Sequence, residues 1–250
     1  RDDESSGQAY ERILSDQENP GNLAQVLDLL SQHEDIKGQT PYTRVLAQTY
    51  QRRIVDLGLE QTEIIHDPNL KSLANYTYSD DTIRVLNPRT EPEYVLHEAG
   101  HAITGSAIQL WEAAQIKGTE HLSANQKKVL PLVNDLNEVF KLAEKKFREK
   151  ELTLDTIDDY GFTNLREFAT EVLVNETFQK NLKALDATEL VNRTSSLPRT
   201  VRNLWQATKV ALRNIITGGV PNSLFERAFE HATALVEGVD PASRFELRKS

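Results

Sequence analysis

The chain has 250 residues, 38% hydrophobic and 27% charged, with a net charge of −9 spread along its length. This is the balance of a globular protein able to bury a sizeable core; it disfavours nucleic acid as a partner, because phosphate binding needs clustered Lys and Arg, and it contains no apolar run long enough to span a bilayer. Cysteine is absent, which removes disulfides, thiol catalysis and any cysteine-based zinc site.

In chain order, residues 1–20 are rich in Asp, Glu, Ser and Gln and read as a flexible lead-in, although Tyr10, Ile13 and Leu14 could form a short docking helix. Leu23, Val26, Leu27 and Leu30 then fall at helical spacing, and a second helix is expected from Pro41 to Leu57. The period changes at Glu63–His66, which reads as a strand. Two further β-rich runs, Asn75–Tyr78 and Thr82–Leu86, flank Ser79-Asp80-Asp81 and predict a hairpin. Helical spacing resumes and dominates the rest, near 92–114, 123–149, 163–184, 198–216 and 222–237. The fold expected is α+β and predominantly helical, with a small hairpin or sheet ahead of the 92–114 helix. The domain reading is a lead-in over 1–20, a catalytic domain over 21–197 and a C-terminal helical extension over 198–250. Methionine is absent and the chain begins at Arg1, which reads as an excised domain or a processed product.

The helix near 92–114 carries the chemistry. Residues 93–104 read EYVLHEAGHAIT. His97 and His101 stand four apart, one helical turn, so both imidazoles lie on one face and can bind one zinc ion. Glu98 projects from the flank of that face, where it can take a proton from an attacking water; this is the HExxH arrangement of metallopeptidases. Average residue usage produces the pattern by chance in roughly one chain in a hundred of this length, so a third ligand is required. His33, His66, His121 and His231 have no partners at ligand spacing. Residues 102–111, AITGSAIQLW, contain no histidine, which excludes the metzincin class.

A carboxylate fits better. Residues 159–178 read DYGFTNLREFATEVLVNETF, a helix capped by Thr163 or Asn164 with Phe168, Val172 and Leu173 inward. Glu167 and Glu171 are four apart on one face. Glu167 could bind the metal, and Glu171 could receive the second N–H of a ligand histidine. The plainer alternative is two exposed acids, but these would repel each other at that spacing. A positive group should sit near them, and Arg166 or a zinc ion would serve.

HEAGHA followed by YGFTNLREFATE resembles the zinc peptidase domain of anthrax lethal factor. Over about residues 20–240 the chain is also similar to the lethal-factor-like, polyvalent protein-associated metallopeptidase domains of large phage virion polyproteins. The resemblance implies a zincin-like fold and a gluzincin-like zinc endopeptidase holding one Zn2+ on His97, His101 and Glu167. Glu98 would be its base and Tyr160 a hydrogen-bond donor to the developing oxyanion. Thr170 departs from the small apolar residue expected there. The implied setting is the virion, or the host cytoplasm after delivery, with a protein or peptide substrate and the parent polyprotein as a candidate partner. A peptide adding to a free edge of the Thr82–Leu86 strand would touch Thr82, Ile83, Arg84 and Val85. Two other readings compete. A deformylase-type hydrolase would need a cysteine ligand, which this chain lacks. A catalytically silent virion structural domain could retain the zincin fold.

Overall fold

The computed structural model describes residues 4–149, 159–183, 185–192 and 203–217. Among these residues the fold is α+β, mostly helical, with one small mixed sheet. The chain forms two compact units, and the division falls inside one helix, after Ile103.

The first unit opens with helix α1 (Ser6–Ser15), the short docking helix that Tyr10, Ile13 and Leu14 allowed, in place of a loose lead-in over that range. Ser5 and Gln8 form a reciprocal capping box at its start, and Tyr10 and Leu14 are buried. The Tyr10 hydroxyl donates to the Thr90 carbonyl at 2.9 Å, which satisfies a phenol that burial would otherwise strand. Strand β1 (Gly21–Asn22) leads directly into α2 (Leu23–Gln32), where Asn22 and Gln25 form the cap. Helix α3 (Pro41–Leu57) has Thr40 as N-cap and Pro at its first position, where a missing N–H costs nothing. It stops at Gly58, whose φ of 70° is left-handed and closes the last turn. Helices α2 and α3 pack together through Leu23, Val26, Leu27, Leu30, Leu46 and Tyr50, all fully buried.

Strands β2 (Glu63–His66), β3 (Ala74–Thr77) and β4 (Thr82–Val85) match the expected β-rich runs within a residue or two. Their order was not expected: it is β1-β2-β4-β3. β4 pairs antiparallel with β3, Tyr76 opposite Ile83, and parallel with β2, Ile64 opposite Ile83. It is therefore interior, with Ile83 and Val85 fully buried. This corrects the expectation that Thr82, Ile83, Arg84 and Val85 offer a free edge to a peptide: both sides of that strand are already paired. Among the described strands the outer position on this side belongs to β3. Asp81 makes the hairpin turn with φ of 51°, a conformation Asp tolerates. Its carboxylate accepts from the Tyr76 and Thr62 hydroxyls, at 2.7 and 3.0 Å.

Helix α4 (Pro92–Lys117) begins in the first unit and continues without a break into the second. The second unit adds α5 (Ala124–Arg148), a 3-10 turn over Asp159–Phe162, α6 (Leu165–Val174), α7 (Glu176–Lys183), a 3-10 turn over Thr188–Asn192, and α8 (Leu204–Thr217). The helix expected over 163–184 is two helices, because Asn175 ends α6 and caps α7: its Oδ1 accepts from the Phe178 N–H at 2.9 Å. Phe147, Phe162, Phe168 and Phe178 form a chain of ring contacts, centroids 4.6–6.1 Å apart, that packs the turn before α6 onto α6 and α7. Gly161 is required there, since a Cβ would lie 2.9 Å from the Phe178 ring and 3.1 Å from the Glu171 Cβ. The 222–237 helix and most of the 198–250 extension lie outside the described residues.

Candidate metal centre

The stretch of α4 around the motif has little freedom. Val95, Leu96 and Ala99 are fully buried, which leaves one polar stripe holding His97, Glu98 and His101, each 8% exposed. The Nε2 atoms of His97 and His101 are 3.2 Å apart and their rings are near perpendicular. Two lone pairs turned on each other at that distance repel unless a proton or a cation lies between them. Zinc–imidazole bonds of about 2.0–2.1 Å at a tetrahedral angle place two nitrogens about 3.3 Å apart, so the observed spacing suits a shared ion.

Glu167 completes the group: one ligand atom from each of His97, His101 and Glu167 lies within 4.8 Å of the others. Among the described residues no other set of three such side chains comes together in this way. Donors of this kind, two neutral imidazoles and one carboxylate, suit zinc and leave a net charge of +1 on the occupied site.

Glu167 is placed by its own helix start. Asn164 caps α6, its Oδ1 accepting from the N–H groups of Arg166 at 2.9 Å and Glu167 at 3.0 Å. Glu167 is thus at the third position of the helix. In α1, α2, α3 and α5 the side chain at that position folds back to close a capping box. In α6 the carboxylate there joins the two histidines. Thr170 has its hydroxyl within bonding distance of the Arg166 and Glu167 carbonyls, at 3.2 and 3.1 Å, which satisfies it in a fully buried position.

Glu98 stands beside the ligand group. Its Oε2 accepts from the backbone N–H of Tyr76 on β3 at 2.7 Å. Nothing in the sequence pointed to that amide. The neighbouring Tyr78 hydroxyl donates to the His101 carbonyl at 3.2 Å, and the Tyr76 and Tyr78 rings meet edge to face. Burial first, and then the bond to Asp81, pushes the Tyr76 phenol up, so it remains a donor.

Glu171 is buried, and Asn175 Nδ2 donates to its Oε2 at 2.8 Å. Because Asn175 Oδ1 is already held by Phe178, its amide can present only the NH2 group to Glu171. Tyr160 lies in the 3-10 turn just ahead of α6, 46% exposed, its carbonyl accepting from the Thr163 N–H. Arg84 is committed within the hairpin, to Thr77 Oγ1 at 2.7 Å and Asp80 Oδ2 at 2.5 Å. That bond to Arg84 is the main reason the Asp80 carboxyl is held below its ordinary value. Arg166, one option for the positive neighbour of the two glutamates, pairs with Glu112 of α4. His66 Nε2 lies 3.2 Å from the Leu86 carbonyl, a structural contact.

Comparison of the chain with protein-family models, with curated proteins and with solved structures gives no match.

Proposed function

We propose that this chain is a zinc-dependent endopeptidase of the gluzincin type. The observation that carries the reading is the facing Nε2 pair of His97 and His101, 3.2 Å apart, with the Glu167 carboxylate beside it. A zinc ion held by these three residues would act as a Lewis acid, polarising a scissile carbonyl and acidifying an attacking water.

The chain's own residues supply the rest. Glu98 takes the proton of the attacking water and passes it to the leaving amine. The Tyr76 amide keeps the Glu98 carboxylate in one orientation. The Tyr160 phenol donates to the carbonyl oxygen as charge builds on it. The substrate is a protein segment in extended form. It lies beside β3, the outer strand, at the backbone groups that β4, Glu98 (at the Tyr76 N–H) and Ser72 (at the Ala74 carbonyl) do not use. The phage virion setting implied by the resemblance of the HEAGHA and YGFTNLREFATE motifs suggests a virion protein or the parent polyprotein as the natural target.

The test is metal analysis and a peptide-library cleavage assay on the wild type and Glu98→Gln. The reading expects one zinc per chain in both and cleavage in the wild type alone. Equal cleavage by the two would remove Glu98 as base. Zinc without cleavage in either would favour a silent structural domain.

A further inference from the structure

We propose that Arg166 and Glu112 are a positioning pair that sets the third metal ligand against the helix carrying the other two; this rests on the zinc reading above. Arg166 Nε donates to Glu112 Oε1 at 3.3 Å, and Nη2 of the same guanidinium donates to Glu112 Oε2. The contact is therefore the two-pronged kind, which fixes orientation as well as distance.

Its placement gives it a purpose. Glu112 lies roughly three turns beyond His101 on the same face of α4, and helical side chains lean toward the N-terminus, back toward the histidines. Arg166 is the immediate neighbour of Glu167, and the N–H groups of both are held by Asn164. One turn of α6 is thus tied twice, to its own cap and to α4. A metal tolerates ligand distances only within about ±0.2 Å. A carboxylate arriving on a separate helix meets that tolerance more readily when its turn is anchored to the helix of the other ligands.

Charge alone predicts something different. Arg166 is a cation near a cation site, so neutralising it would tighten metal binding by removing repulsion, whereas neutralising Glu112 would loosen it. A positioning pair predicts loosening from either change. The experiment measures Zn2+ affinity by competition with a chromophoric chelator for the wild type, Arg166→Met, Arg166→Lys, Glu112→Gln and the exchange Glu112→Arg with Arg166→Glu. Circular dichroism and thermal unfolding of the metal-free proteins check the fold. His97→Ala serves as the ligand control.

The expected result is a three- to tenfold loss of affinity in both neutral variants. Arg166→Lys, the mildest change, keeps the charge but not the fork and should lose nearly as much. The exchange should return to within about twofold of wild type. Tighter binding by Arg166→Met, unchanged affinity in folded neutral variants, or an exchange as weak as the single changes would overturn the pairing while leaving the zinc site standing. A wild type that takes up no more Zn2+ than His97→Ala overturns both.

Discussion

The backbone N–H of Tyr76, on the outer strand β3, donates to Oε2 of Glu98 at 2.7 Å. A main-chain group on the sheet thereby orients the carboxylate next to the two histidines. Bonds of this charge-assisted kind are worth roughly 1.5–3 kcal/mol, and this one depends on no side chain at position 76.

That independence makes it testable. Tyr76→Ala keeps the amide, and Tyr76→Pro removes it. Proline is tolerated on an outer strand where the lost N–H serves no ladder bond. Peptide cleavage should fall about 10- to 100-fold further in the proline variant than in the alanine variant, with Zn2+ content equal in both. Equal kcat in the two variants would show that the amide does not position Glu98.

Zinc at the proposed site should also stabilise the fold, because it would bind the native arrangement of His97, His101 and Glu167 and not the open chain. At free zinc one hundred times Kd the gain is about 2.7 kcal/mol. For a chain of this size that corresponds to a Tm rise of about 5–10 °C. Calorimetry with and without a chelator measures it. His97→Ala and Glu167→Ala should show little or no zinc-dependent shift.

Asn175 serves two neighbours, donating to buried Glu171 and capping α7 through Phe178. Asn175→Ala removes a cap and leaves a buried carboxylate oxygen short of a donor. The combined cost expected is about 2–4 kcal/mol, read by urea unfolding. Asn175→Asp keeps the cap but places a second carboxylate against Glu171 in place of a donor, so it should also be destabilised.

Gly161 admits no side chain without movement, given its 2.9 Å approach to the Phe178 ring. Gly161→Ala should cost about 1–3 kcal/mol. Adding Phe178→Leu should recover part of that loss, since the ring is the obstacle. If the two losses simply add in unfolding measurements, the clash is not the cause.

Much of this was legible because it is local. The helices from Leu23, Pro41 and Pro92 announce themselves by apolar spacing, and the first two also by capping boxes written within four residues. The pairing of His97 with His101 is a property of one helix turn. Glu167 was within reach as one of two acids, with Glu171, on one face of an apolar-backed helix, although an acid in a first helical turn has commoner uses. The break at Asn175 was also written locally, as an Asn able to cap a new turn, but continuous apolar spacing across it hid the signal.

The rest depended on which distant segments meet. Sequence proximity made β4 look like the strand available to a substrate, yet β4 sits between β2 and β3, and pairing order is set by the burial of Ile64, Ile83 and Val85 rather than by chain order. The amide that holds Glu98 and the arginine that ties α6 to α4 had no signature, since a backbone N–H is identical at every residue and a surface Arg usually meets only water. By itself, then, the sequence determined that two imidazoles and a glutamate would share one turn of a buried helix, because helical geometry repeats every 3.6 residues. Only the tertiary structure decided which carboxylate joins them and which strand faces outward, because those distances follow from how the helices and strands pack.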